Sequence, residues 1–429
     1  MPDDVAVSPA RPARPRRPER GLWRLLGPAF VAAVAYVDPG NVAANLTAGA
    51  RYGYLLVWVL VAANVMAVLV QYLSAKLGIV TGRSLPEVLG ERMSRRTRLA
   101  YWGQAEVVAA ATDLAEVIGG AIALNLLFGV PLVVGGIITG VISMLVLSIQ
   151  QRRGQRAFEA VITSMLAILT VGFCAGLFFA PPSLEGVLGG LVPRFEGADS
   201  VLLAASMLGA TVMPHAIYLH SSLARDRHRA TRPALPGSAA YSGEQAETRR
   251  LLRGTRLDVV LALIVAGSVN IAMLLLAAAN LPGRAGTDSI EGAHAAIVDV
   301  LGPVVGVLFA VGLLASGLAS TSVGAYAGAE IMQGLLKVRI SLLWRRAVTL
   351  IPAVVLLATG ISPTWLLVMS QVVLSFGIPF AMIPLVRLTR DRALMGEQRN
   401  GTVTQVAGWA VATVIVALNL VLLWLTFAG

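Results

Sequence analysis

Near the start of the chain, the stretch Ala35-Tyr36-Val37-Asp38-Pro39-Gly40-Asn41-Val42 sets an acidic residue, a proline and a glycine in the middle of an apolar run. A continuous helix would not choose this sequence. Pro39 has no backbone donor and Gly40 loosens the backbone, so a break is expected there. In the second half of the chain, Met213-Pro214-His215 interrupts another apolar run in the same way. Breaks at matching places in the two halves of a membrane chain point to a transporter binding site near the bilayer midplane.

The surrounding composition fixes the class. Hydrophobic residues make up 56% of the chain and charged residues 13%, and bilayer-length apolar runs recur throughout, which no soluble domain could cover with polar surface. Eleven helical spans are expected, near 23–49, 54–79, 98–127, 131–149, 157–179, 199–224, 252–279, 293–334, 341–360, 363–386 and 403–428. With the N-terminus inside, alternation of these spans places all but three of the 34 Lys and Arg on the cytoplasmic side, the exceptions being Arg51, Arg194 and Arg284. Such an asymmetry orients the chain and checks the span count. The net charge of +11 therefore reads as membrane topology. Nucleic acid is excluded as a partner, because the arginines sit in short clusters between apolar runs and gather on no single face. The one cysteine, Cys174, rules out a disulfide framework and a cysteine metal site.

Residues 1–21, rich in Pro and Arg, read as a disordered cytoplasmic tail, and 22–429 as the transporter domain. Spans one to five (about 22–180) and six to ten (about 199–386) form two repeats, with the eleventh (403–428) outside them. A polar stretch near 225–250 reads as a cytoplasmic loop between halves. The Ala- and Arg-rich composition suggests a bacterial cytoplasmic membrane, with the C-terminus, after an odd number of spans, outside. No cofactor and no obligate protein partner is implied.

A carboxylate inside the membrane is costly and demands a partner. No Lys or Arg lies in the apolar interior of the first or sixth span to pair with Asp38, so a cation is the natural one. At the breaks, Asp38 offers carboxylate oxygen, Asn41 amide oxygen, the unwound backbone before Met213 a free carbonyl (that of Ala210), and Met213 a thioether. Oxygen alone would suit Mg²⁺ or Ca²⁺; the sulfur shifts preference toward Mn²⁺, Fe²⁺, Co²⁺ or Cd²⁺.

Asp38-Pro39-Gly40-Asn41 and Met213-Pro214-His215 resemble the two signatures of the Nramp family of proton-coupled metal transporters. The resemblance extends through 27–37, through Leu73 to Gly82 and through Ala111 to Glu116, and covers most of the chain. It implies an all-α membrane protein of the leucine-transporter type, with two inverted five-helix repeats and discontinuous helices one and six. It also implies a metal site at Asp38, Asn41, Met213 and the Ala210 carbonyl, joined on occlusion by Gln371, and import of Mn²⁺ or Fe²⁺ with protons. Two departures stand out: Ala216 where the family usually has Asn, and Ala329 where it has Gln.

The third span carries Glu106, Asp113 and Glu116, whose spacings place all three carboxylates roughly on one helical face, turned from lipid. The resemblance implies that Arg345 and Arg346 of the ninth span face these acids and complete a proton path. Metal arriving at Asp38 would expel a proton, with Glu116 and Asp113 as acceptors and His215 and His220 as further members of the route. His228 and His294 are assigned no role. The rival within this fold is a Na⁺-coupled amino-acid or solute transporter, whose substrate carboxylate the charge of Asp38 would repel. A relative specialised for Mg²⁺ or a trivalent ion would be expected to lack Met213. A channel would need repeated rings of polar residues, and an enzyme a nucleophile with its base or a closed metal site.

Overall fold

In a computed structural model, residues 27–229, 241–284, 286–287, 289–338 and 341–428 are described. The expected tail over 1–21 lies outside them, as does the centre of the expected loop, 230–240. The helices are α1 (Pro28–Val34), α2 (Pro39–Tyr52), α3 (Val57–Thr81), α4 (Leu85–Arg92), α5 (Arg95–Phe128), α6 (Leu132–Arg153), α7 (Gln155–Phe179), α8 (Leu184–Gly190) and α9 (Gly197–Thr211). They continue as α10 (Pro214–Arg229), α11 (Tyr241–Asn280), α12 (Ile290–Leu301), α13 (Pro303–Leu336), α14 (Leu342–Ala358), α15 (Pro363–Arg390), α16 (Arg392–Met395) and α17 (Thr402–Ala428).

Nine helical stretches among the described residues are long and apolar enough to cross a membrane. The other two expected spans are built from shorter helices, each for a physical reason. The first is split into α1 and α2, and the ninth, α14, has only 17 residues, with Pro352 inside it. Eleven crossings result, with α9 and α10 together forming the sixth.

Three expectations need correction. The eighth span does not run unbroken over 293–334: Gly302, at φ 88°, and Pro303 separate α12 from α13, a conformation that favours glycine and ends a helix. The polar stretch near 225–250 is largely helical at both ends, because α10 continues to Arg229 and α11 begins at Tyr241; the strong helix formers Glu244, Gln245, Ala246 and Glu247 extend the apolar helix that follows. Finally, Gly40 does not loosen the first break, for it sits inside α2.

Small residues bring the helices together. A Cβ added to Gly317 of α13 would fall 2.9 Å from the backbone nitrogen of Gly120 on α5, and one on Gly172 of α7 would fall 2.8 Å from Gly312 Cα on α13. Where lipid tails are as apolar as the helices, this close backbone approach supplies much of the packing attraction. Apolar side chains such as Phe178, Val403 and Val65 point outward, where lipid would meet them.

Candidate metal site and its polar surroundings

The first break falls between Val37 and Pro39. Asp38 is extended (φ −78°, ψ 167°) and N-caps α2, its Oδ1 accepting from the Asn41 backbone N–H at 2.7 Å. Pro39 occupies the first helical turn, where its missing N–H costs nothing. A carboxylate at a helix N-terminus also gains from the unpaired N–H groups and the dipole there. So the sequence that stops α1 also fixes a carboxylate at the start of α2.

The sixth break works differently. In a continuous helix the Ala210 carbonyl would accept from the N–H four residues on, but that residue is Pro214. The chain leaves the helix at Val212 (φ −106°, ψ 67°) and restarts at Pro214. The freed Ala210 oxygen instead accepts from Asn41 Nδ2 at 2.8 Å.

That bond joins the two breaks. Asn41 Nδ2 also reaches Asp38 Oδ1 at 3.0 Å, and Gln371 Nε2 of α15 donates to Asp38 Oδ2 at 3.1 Å. Asp38, Asn41, Ala210, Met213 and Gln371 are all fully buried, so the cluster is closed to both faces. Asn41 Oδ1 and Gln371 Oε1 have no hydrogen-bond partner. These two amide oxygens, beside a carboxylate and a carbonyl, are oxygen donors of the kind that could hold a divalent cation. Among the described residues no three His, Cys, Asp or Glu converge as a metal cage. One charge with neutral donors suits an ion that is released again.

Of the third-span acids, Asp113 Oδ1 lies 3.0 Å from Arg346 Nη1, and Glu106 Oε1 accepts from Arg345 Nη2 at 2.7 Å. Arg346, fully buried, also donates from Nε to Ser143 Oγ at 3.1 Å. Glu116 is fully buried, with Thr321 of α13 beside it. Its carboxylate lies over Gly324, where a Cβ would come within 3.0 Å of both oxygens, and Arg345 lies over Gly328 one turn on. His215 Nδ1 is 3.3 Å from Thr112 Oγ1 on the same span as the acids. His220 stands apart from them: its Nδ1 is 2.7 Å from Gln71 Oε1, and Gln71 in turn donates to the Tyr36 hydroxyl. Ala216 is fully buried and Ala329 partly so.

A family profile described as natural resistance-associated macrophage protein-like, Nramp, matches residues 29–425. The chain belongs to the Nramp family. The divalent metal cation transporter MntH of Mycobacterium tuberculosis (strain ATCC 25618 / H37Rv) is 62% identical over 407 residues, which cover 95% of this chain and 92% of that protein. MntH of Bacillus subtilis (strain 168) is 46% identical over 410 residues, 95% of this chain and 93% of its own. Among solved structures, the Eremococcus coleocola manganese transporter matches with a TM-score of 0.83 at 29% identity, covering 95% of this chain and 88% of that one. MhsT, solved with L-phenylalanine, matches with a TM-score of 0.57 at 13% identity over 92% of this chain and 97% of its own, a likeness of fold alone. This Nramp chain is thus a membrane transporter of the leucine-transporter type and not an enzyme.

Sequence reasoning passed over the residues that stitch the first break of this Nramp chain. Asn270 of α11 donates from Nδ2 to the Tyr36 carbonyl at 2.7 Å and accepts from Asn45 Nδ2 at 3.0 Å. Ser316 of α13 donates to the Val37 carbonyl. The available signal was an Asn or Ser set alone in an apolar span, a polar group that must find a partner inside the membrane. On the expected cytoplasmic side, Asp258 of α11 accepts from the backbone N–H of Gly27 and of Ala29 at 3.1 and 3.0 Å, and Arg227 pairs with Glu159. Arg225 meets Glu87, Asp226 and Glu330 at 2.6, 2.7 and 3.1 Å. Burial alone would raise the Glu87 carboxyl, but the Ser84 N–H and the Arg225 guanidinium outweigh it and hold Glu87 below the usual carboxylate range. These bonds tie α1, α4 and α10 to α7, α11 and α13.

Proposed function

We propose that this Nramp protein imports divalent transition-metal ions, Mn²⁺ above all and also Fe²⁺, Co²⁺ or Cd²⁺, together with protons, by alternating access across the cytoplasmic membrane. The N-terminus is cytoplasmic and the C-terminus is outside. The observation that carries this reading is the joining of the two breaks: a carboxylate, a freed carbonyl and an amide hydrogen-bonded to both, with Met213 in the second break.

Asp38 supplies the negative charge. As the cation enters, the Asn41 and Gln371 amides turn over, so that oxygens replace the N–H groups now directed at Asp38. Ala210 contributes its carbonyl oxygen without rearrangement, and Met213 its sulfur, which adds little for Mg²⁺ or Ca²⁺ and favours softer ions. The names of the relatives, divalent metal cation transporters and a manganese transporter, agree with this cargo. A proton displaced from Asp38 passes to Glu116 and Asp113 of α5, the helix that packs on Pro39: a Cβ on Gly119 would lie 2.0 Å from Pro39 Cβ, whereas one on Gly40 would meet Gln371. Metal and proton then leave by separate routes, with His215 at their junction.

Coupling is tested with purified protein in liposomes holding a trapped pH indicator. External Mn²⁺ should acidify the lumen at a rate that follows Mn²⁺ uptake, and Glu116→Gln should slow acidification more than metal entry. Mn²⁺ uptake with no lumenal acidification would refute proton coupling.

A further inference from the structure

Gly40 and Gly209 lie inside α2 and α9, and neither has a positive φ. Glycine is disfavoured in helix interiors relative to alanine, so backbone freedom does not explain either residue and close packing must. The close neighbour is α15. A Cβ on Gly40 would fall 1.6 Å from Nε2, 2.4 Å from Cδ and 2.8 Å from Cγ of Gln371. One on Gly209 would fall 2.3 Å from the Gln371 carbonyl oxygen and 3.0 Å from Ser375 Cβ. Each broken helix therefore offers one glycine to the same residue of α15, the first under its side chain and the second under its backbone.

We propose that Gly40 and Gly209 form a two-point seat for α15, and that the site closes over Asp38 only because neither position carries a Cβ. Both are positioning residues. With a methyl group at either position α15 stands off, Gln371 no longer reaches Asp38, and the cleft between α9 and α15 stays open. Ser206 marks that cleft: it is fully buried, with its hydroxyl 3.5 Å from the Val368 carbonyl of α15. The role of the seat in transport rests on the cargo site proposed above, but its test needs no metal.

Cys174 is the only cysteine, so the full chain carrying Cys174→Ser and Ser206→Cys has one thiol, at the cleft. Its labelling by a membrane-impermeant maleimide in proteoliposomes should be slow. Gly40→Ala and Gly209→Ala should each speed it about tenfold, a shift of the closed population by one decade. The two then part. All three nearest atoms to the Gly40 Cβ belong to the Gln371 side chain, whereas the nearest to that of Gly209 is backbone. Adding Gln371→Ala should therefore restore slow labelling to G40A and leave G209A fast. If G40A does not fold alone, the same reasoning requires that Gln371→Ala recover it. Unchanged labelling in the single variants, equal response of both to Gln371→Ala, or a G40A folding defect that Gln371→Ala does not relieve would each overturn the seat. Failure of Mn²⁺ uptake would leave these outcomes untouched.

Discussion

The first and sixth spans are both broken by a proline, yet the two breaks solve different problems. At the first, Pro39 starts a helix whose N-cap is Asp38, and the Tyr36 and Val37 carbonyls, in the turn that follows α1, are taken up by Asn270 and Ser316 from other spans. At the sixth, Pro214 withholds the N–H that Ala210 would have used, and the replacement comes from the first break, whose Asn41 donates to that carbonyl. One break presents charge and is held rigid by its neighbours. The other presents neutral donors and is held by the first break together with α3 and α15. The site thus sets an anion on one helix end against neutral groups on another.

The largest expected effect is at the charged break. Asp38→Ala removes the only formal charge of the site and should lower Mn²⁺ uptake about a hundredfold or more, the scale of a lost charge-assisted contact. Next is the neutral break: Pro214→Ala returns an N–H to the Ala210 carbonyl, mends the helix, and should cost about tenfold in uptake. Healing of the helix without loss of transport would show that the free carbonyl is dispensable. Asn270→Ala attacks the stitching of the first break, leaving the Tyr36 carbonyl and the Asn45 amide without their partner. It should lower stability in detergent by about 1–3 kcal/mol, read as a lower melting temperature.

The smallest effect tests the tie that anchors α10 through Arg225. Because Glu87 is held below its ordinary value of 4.5 in the folded protein, its contribution is complete above that value and is lost as pH falls through the lower, folded one. Glu87→Gln should therefore lower the melting temperature slightly at pH 7, and the difference from the parent should close below about pH 4.5. A difference that persisted in acid would assign the effect to lost packing.

Most of this architecture was legible in the sequence because membrane solvation leaves so few choices. Apolar runs, the Lys and Arg asymmetry and two prolines beside polar residues located eleven crossings and both breaks. Asp38, Asn41, Ala210 and Gln371 do come together, as do Asp113 with Arg346 and Glu106 with Arg345. What was hidden depends on three-dimensional approach. Composition cannot tell a glycine that bends from one that admits a neighbour, so Gly40 was misread as part of the break. Helical spacing turns His220, five residues beyond His215, to a different direction, but that it meets Gln71 depends on how α10 lies against α3. Gly302 hid inside an apolar run long enough to read as one helix.

The central claim is that a charged break and a sulfur-bearing break together select transition metals, and Met213→Ala tests it most directly. Mn²⁺ uptake into proteoliposomes under an inward proton gradient would be measured against excess Ca²⁺ or Mg²⁺, in the parent and in this variant. The account predicts that the parent resists the hard ions, and that the variant retains uptake but becomes about tenfold more sensitive to them, equivalent to about 1.4 kcal/mol of lost discrimination. Equal resistance in both proteins would contradict it and leave Met213 as packing.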